Sequence, residues 1–223
     1  MEAKKALIFD SGAIITLALN DLLYILEPLK RVFRGEFYIP EPVKKEVIDR
    51  SLQSKKFMLE ALMIKSLINK GILKVIPSSK ILKRETKKIL DIANHTFKTE
   101  GEWIRLIHEG ETSCLALFNL IDAKDKAIVI DERTTRMLCE APKNLHRLLE
   151  TKLQKKIKAI EENYSFFKNF KIIRSSELGF IAYKKRIIQL PAKSKDALRA
   201  ILYATKYKGC AISNYEIEIA KKL

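Results

Sequence analysis

The stretch KKALIFDSGAIITLA, residues 4–18, decides how the chain is read. Residues 6–9 are a continuous apolar run of strand length that stops on Asp10. Ser11 and Gly12 follow, and then Ile14, Ile15, Leu17, Ala18, Leu22 and Leu23 recur at helical spacing. A buried strand that hands over to a helix through an acid is the start of an α/β unit. Asp10 can cap that helix, or it can hold a ligand at the carboxyl end of the strand.

The same pattern returns along the chain. Strands are predicted in EFYIPEP (36–42), ILKVIP (72–77), KAIVID (126–131) and FKIIR (170–174). Helices are predicted from Pro42 towards Arg50, over 54–70 and 80–94, and after Gly110. Further helices are expected over about 143–162, from Ser176, over 194–207 and at the chain end, while HTFKTEGEWIRL (95–106) reads as a polar stretch. Strands alternating with helices predict an α/β fold, a three-layer α/β/α sandwich with a central, mostly parallel sheet. No Gly/Ser/Pro linker interrupts it, so residues 1–223 read as one domain with helical insertions near 51–100 and 143–168. A boundary near 143 is the alternative.

Composition narrows the function. No apolar run reaches the roughly 18 residues that span a bilayer, and Asp10 comes too soon for a signal-peptide core; a cytoplasmic protein without a membrane partner is expected. Cys114, Cys139 and Cys210 are far apart and read as buried small hydrophobes. His95, His108 and His146 do not complete a zinc site with them. The net charge is +16, and residues from 144 onward, with 18 basic and 7 acidic side chains, carry +11 of it. Such a field attracts polyanions.

Four acids lie where one sheet edge would gather them. In an open parallel sheet, ligands bind outside the carboxyl ends of the strands. Asp10 and Asp131 end two strands there, Glu111 lies in the first turn of a helix beginning there, and Glu46 is about one turn into another. Each has a plainer role as a helix cap, dipole partner or lysine partner. Convergence is what those roles do not predict, because clustered carboxylates either take up protons or bind a cation. Oxygen-only ligands suit Mg²⁺ or Mn²⁺, and hard cations held this way commonly serve phosphoryl chemistry.

At these residues the sequence resembles the PIN domain family of metal-dependent nucleases, in LIFDSGAIITLA, IPEPVKKEV, HEGETSCLALFNL and IVIDERTTR, in that order. FKIIRSSELGFIAYKK and GCAISNYEIEIAKK are similar, less closely, to the end of archaeal members. The resemblance implies an α/β/α sandwich and a site of Asp10, Glu46, Glu111 and Asp131, catalytic and binding one or two Mg²⁺ or Mn²⁺ ions. Ser11 would order Asp10 or a water, and Glu109 and Glu132 would substitute for the ligands or support them. Val129-Ile130 departs from the Ser/Thr-rich residues that precede the fourth acid in many toxin members. The extra length also argues against a toxin's antitoxin-like protein partner.

The expected activity is therefore a divalent-metal-dependent endoribonuclease, with RNA favoured over DNA. A nucleic-acid-binding module without catalysis and a structure-specific DNA nuclease are the alternatives. Arg133 and Arg136 are placed to touch phosphate or, alternatively, to pair with a carboxylate, and Lys152, Lys155, Lys156, Lys158, Lys184, Lys185 and Arg186 to hold the strand, a solvated helix face being the plainer reading of these lysines. Trp103 and Tyr38 can stack on bases or pack in the core. Leu59, Leu62 and Met63 offer a homodimer seam or, again, core.

Overall fold

The computed structural model describes residues 5–190 and 194–222. It opens with strand β1 (Lys5–Phe9), helix α1 (Ser11–Leu19), helix α2 (Leu26–Phe33) and strand β2 (Glu36–Pro40). A short helix α3 (Glu41–Lys44) runs into a π-helical segment, Lys45–Arg50. Then come α4 (Met58–Asn69), β3 (Leu73–Ile76), α5 (Lys80–Asn94) and two short strands, β4 (Phe97–Thr99) and β5 (Glu102–Trp103). The second half holds α6 (Glu109–Leu120), β6 (Asp125–Val129), α7 (Arg133–Glu140), α8 (Pro142–Leu153), β7 (Lys158–Ala159) and α9 (Tyr164–Phe167). It closes with β8 (Ile172–Ile173), α10 (Ser175–Lys184), α11 (Ser194–Tyr207) and α12 (Asn214–Ala220).

The central sheet has five strands, all parallel, in the order β3-β2-β1-β6-β8. With helices on both faces it is the three-layer α/β/α sandwich. Its central strands are buried nearly throughout: Ala6, Ile8, Phe9, Phe37, Ile39, Ile128 and Val129 are all core. Burial on both faces is why these strands read as continuous apolar runs. The chain leaves β1 towards β2 and β3 and returns on the other side as β6, so strand order reverses between β1 and β6. A crevice opens at such a switch point, outside the strands' carboxyl ends. Asp10 and Asp131 follow the two strands that flank it.

Several expectations are corrected. The helix expected over 143–162 breaks after Leu153, where Gln154 takes a left-handed φ of 51°. The reason lies in α8. His146 Nε2 and Glu150 Oε1 bind the carbonyl and N–H of Ile157, at 2.7 and 3.1 Å, and this pins the backbone away from a helix. The polar stretch 95–106 holds a hairpin, β4–β5, whose two-residue turn, Glu100-Gly101, has positive φ at both positions (48° and 90°), as a tight hairpin turn demands. With β7 these strands form a second, antiparallel sheet. The strand expected in ILKVIP is present as β3, the edge strand of the main sheet.

The three cysteines are buried and free. Leu59 and Leu62 are not core: they are 68% and 50% exposed on α4, while Met63 packs against the core. Among the described residues no single helix is long and apolar enough to cross a membrane. The helices over 11–19 and 23–33 reach that length only together, across a 113° bend.

Candidate metal and nucleic-acid site

Asp10 is 3% exposed. Its backbone N–H donates to Val129 O (3.0 Å), which joins the end of β1 to β6. Its Oδ2 accepts from Gly12 N (3.1 Å) and caps α1, while Oδ1 is buried with no hydrogen-bond partner among the described residues. A Cβ at Gly12 would stand 3.3 Å from Oδ2, so the glycine leaves the carboxylate its room. Capping thus uses one oxygen, and the other is left for something else.

Burial, then Glu111, and more weakly Glu46, push the Asp10 carboxyl up from its ordinary 3.8 to about 7, against the opposing N–H groups of Gly12 and Ser11. The thiol of Cys114, bonded to Phe9 O at 3.6 Å, is raised by burial and by the same three acids, Asp10, Glu111 and Glu46. Three carboxylates from three segments therefore share one locale. Glu46 sits in the π-helical segment, a geometry that is rare and concentrated at functional sites. Its Oε2 lies against the start of α6, where a Cβ on Gly110 would come within 3.5 Å. Glu111 reaches back to accept from His108 N (3.2 Å).

Glu46 and Glu111 open into a cleft of about 690 Å³ lined also by Ser11, Glu41, Glu109 and Gly110 together with Lys45, Arg50 and Lys83; Asp10 lies buried behind it. Glu41 accepts from Ser78 N (2.9 Å) and pairs with Lys45 (3.3 Å). The Ser78 bonds and then Lys45 hold its carboxyl down to about 2. Arg50 and Lys83 make no ion pair among the described residues. The cleft is thus mixed: acids at the sheet edge, cations at the rim.

Asp131 is placed differently. It is 2% exposed, and its two oxygens accept from Ser175 N (2.8 Å) and Ser175 Oγ (2.6 Å) at the start of α10. Its backbone carbonyl accepts from Ala211 N (3.2 Å). Cys210 beside it is raised to about 11, by burial first and by Asp131 second. Asp131 keeps lone pairs free, but it is held from behind by the C-terminal part of the chain. Glu132 caps α7, accepting from Thr134 N and Thr135 N (2.7 and 2.6 Å).

The other sequence candidates lie elsewhere. None of Arg133, Arg136, Lys155, Lys156, Lys184, Lys185 and Arg186 lines the acid cleft. Arg136 binds Glu140 (3.2 Å) and Ala211 O (3.3 Å), and Lys155 pairs with Glu100 (2.6 Å). Lys184 lies over the Phe180 ring (5.8 Å). Tyr38 lines a separate cleft with Lys5 and Gly35, at the amino ends of the strands. Trp103 is not core: it is 42% exposed.

The cations that do line the cleft, Lys45, Arg50 and Lys83, were not among the expected binders. The signal was present. Lys83 lies in the first turn of α5, the helix that follows β3, and Ser175 starts the helix that follows β8. The rule that selected Glu111, that helices after strands begin at the carboxyl edge, selects both.

Among the described residues no group of three or more His, Cys, Asp and Glu side chains is drawn together closely enough to form a ready-made metal site. Asp10, Glu46 and Glu111 are near enough to repel, but one oxygen of Glu111 is turned back to its own backbone. The donor set nevertheless fits a hard cation, through the orphaned Oδ1 of Asp10 and the neighbouring Glu46 and Glu111, which make no ion pair among the described residues. No protein-family model matches the sequence, and no curated protein matches it either.

Proposed function

We propose that the protein is a divalent-metal-dependent nuclease of PIN type that hydrolyses phosphodiester bonds, with RNA as its first substrate. The observation that carries this reading is the buried, unpartnered oxygen of Asp10 at the switch point of a parallel sheet, with Glu46 and Glu111 beside it lining a cleft rimmed by cations. Asp10, Glu46 and Glu111 would hold Mg²⁺ or Mn²⁺, while Asp131, after the adjacent strand β6, is oriented by Ser175. When bound, such an ion lowers the pKa of water and neutralises charge on the phosphoryl oxygens. The chain's own part is to fix the acids and seat the phosphate. Lys83 and Arg50 supply charge to the strand at the cleft rim, and the π-turn aims Glu46.

The deciding test is cleavage of labelled single-stranded RNA by the wild-type chain with Mn²⁺ or with EDTA, with DNA as competitor. Cutting that requires the metal supports the reading. RNA left whole in Mn²⁺ but bound tightly at low salt favours a binding module, a reading to which the two Ser175 bonds on Asp131 lend weight. DNA cut in preference to RNA makes it a DNA nuclease.

The rim cations carry their own prediction. Lys83→Ala weakens RNA binding several-fold and reduces the slope of log affinity against log salt by about one. An unchanged slope, measured by anisotropy at several salt concentrations, removes Lys83 from the path of the strand.

A further inference from the structure

A second cleft, of about 480 Å³, adjoins the acid cleft and shares His108 and Glu109 with it. Its wall includes Trp103, His95 and Arg105. We propose that an unpaired base of the strand held in the acid cleft stacks on Trp103 in this neighbouring cleft, a proposal that rests on the nucleic-acid reading of the acid cleft.

Trp103 is built as a platform. It sits on β5 directly opposite Lys98 of β4, whose ammonium lies 5.1 Å from the ring centroid. The His95 imidazole meets the ring edge-on, with centroids 5.0 Å apart, and is itself held by a 2.6 Å bond between Nδ1 and Asp91 O. That bond makes Nδ1 the donor in the neutral ring and leaves Nε2 as an acceptor. The hairpin is fixed at both ends, by its two-residue turn and by the bond from Ile104 N to Phe97 O (2.9 Å).

Asn94, at the end of α5, completes the support. Its Oδ1 accepts from Leu106 N (2.7 Å) and Ile107 N (3.3 Å), and its amide donates to Ile107 O (3.3 Å). An indole kept 42% exposed on so rigid a frame gains little from burial. With Lys98 over its ring and Arg105 in the same cleft wall, it has the chemistry of a base-stacking site: stacking accepts any base, and Lys98 and Arg105 supply charge for the adjoining phosphates. Arg105 makes no ion pair among the described residues, and it is exposed. The nine-residue span from Trp103 to Glu111 links this platform to the acids. Preorganisation lowers the cost of ordering the strand there.

Trp103 is the chain's one tryptophan, so its fluorescence reports this site alone. The experiment titrates wild-type protein in EDTA with an unlabelled single-stranded RNA oligonucleotide, reading Trp fluorescence, while anisotropy of the labelled RNA reports binding. A parallel titration uses Asp10→Asn in Mg²⁺. The expected result is saturable quenching at the concentrations where anisotropy rises, and no quenching by inorganic polyphosphate. Trp103→Ala should then weaken RNA binding about 5- to 100-fold, with Trp103→Phe close to wild type. A deoxyoligonucleotide that quenches equally well shows that the platform reads the base face common to RNA and DNA, as stacking requires.

RNA that binds without quenching, or that binds Trp103→Ala as tightly as wild type, overturns the stacking proposal and leaves the nuclease reading standing. Absence of RNA binding in both titrations overturns it as well. Metal-dependent cleavage, measured separately, then decides the fate of the nuclease reading.

Discussion

Asp10→Asn is expected to lower metal-dependent RNA cleavage by on the order of 10³-fold or more while leaving RNA binding in EDTA intact. Asparagine is nearly isosteric with aspartate. Its oxygen can still accept from Gly12 N, so the cap on α1 survives. What disappears is the charge at the buried Oδ1 that has no partner of its own. Cation-supplied stabilisation of a phosphoryl transition state is worth several kcal/mol, and each 1.36 kcal/mol is a factor of ten in rate. Single-turnover cleavage in Mn²⁺, read beside anisotropy in EDTA, separates the two effects. A variant that cuts as fast as wild type sinks the site. A variant that loses binding as well as cutting has lost its fold, and Glu111→Gln then becomes the variant to compare.

The second large effect is on stability, and its sign depends on pH. The Asp10 carboxyl lies at about 7 in the fold against an ordinary 3.8. A carboxyl raised by folding favours the fold fully below the unfolded value, and that contribution is lost as pH rises through the folded value. The window is therefore from about 4 to above 7, and the loss at pH 8 is on the order of 4 kcal/mol, at 1.36 kcal/mol per unit. Asp10→Asn carries no such charge. In EDTA it should melt several degrees above wild type at pH 8 and level with it at pH 4. Mn²⁺ should then raise the melting temperature of wild type at pH 8 through binding to the folded state alone, and leave Asp10→Asn where it was. Wild type and variant melting together at pH 8 in EDTA would mean that Asp10 is not a charge awaiting a partner.

Much of the fold was legible because the central strands are buried on both faces and bounded by acids, prolines or glycines. ALIF, EFYIP and IVI needed no other signal, and the helix over 80–94 matches its predicted span. The hairpin at Trp103 was not legible. Its strands are three and two residues long, too short to show alternation, and the turn glycine stands in a charged stretch. The break after Leu153 was hidden for another reason: the bonds that hold Ile157 come from His146 and Glu150, which look like ordinary surface residues of a helix.

The candidate site divides in the same way. Asp10, Glu46 and Glu111 could be chosen because strand ends and helix starts have fixed positions at a sheet edge. The surroundings of Asp131 could not, because Ser175 and Ala211 reach it only through tertiary structure. The basic C-terminal third drew attention by its charge, yet the cations beside the acids are Lys45, Arg50 and Lys83. Long-range charge says little about which side chains reach a given cleft.

The tie between Asp131 and the end of the chain also sets an order of assembly. Ala211 N donates to Asp131 O, and Ala211 O accepts from both Arg174 (3.1 Å) and Arg136 (3.3 Å). The strand bonded to Asp10 lies more than a hundred residues further along the sequence, and Ser175 and Ala211, which brace Asp131, lie further still. Contacts so distant in sequence close slowly. The acid edge therefore acquires its final geometry only when strands distant in sequence have paired and Ser175 and Ala211 have reached Asp131.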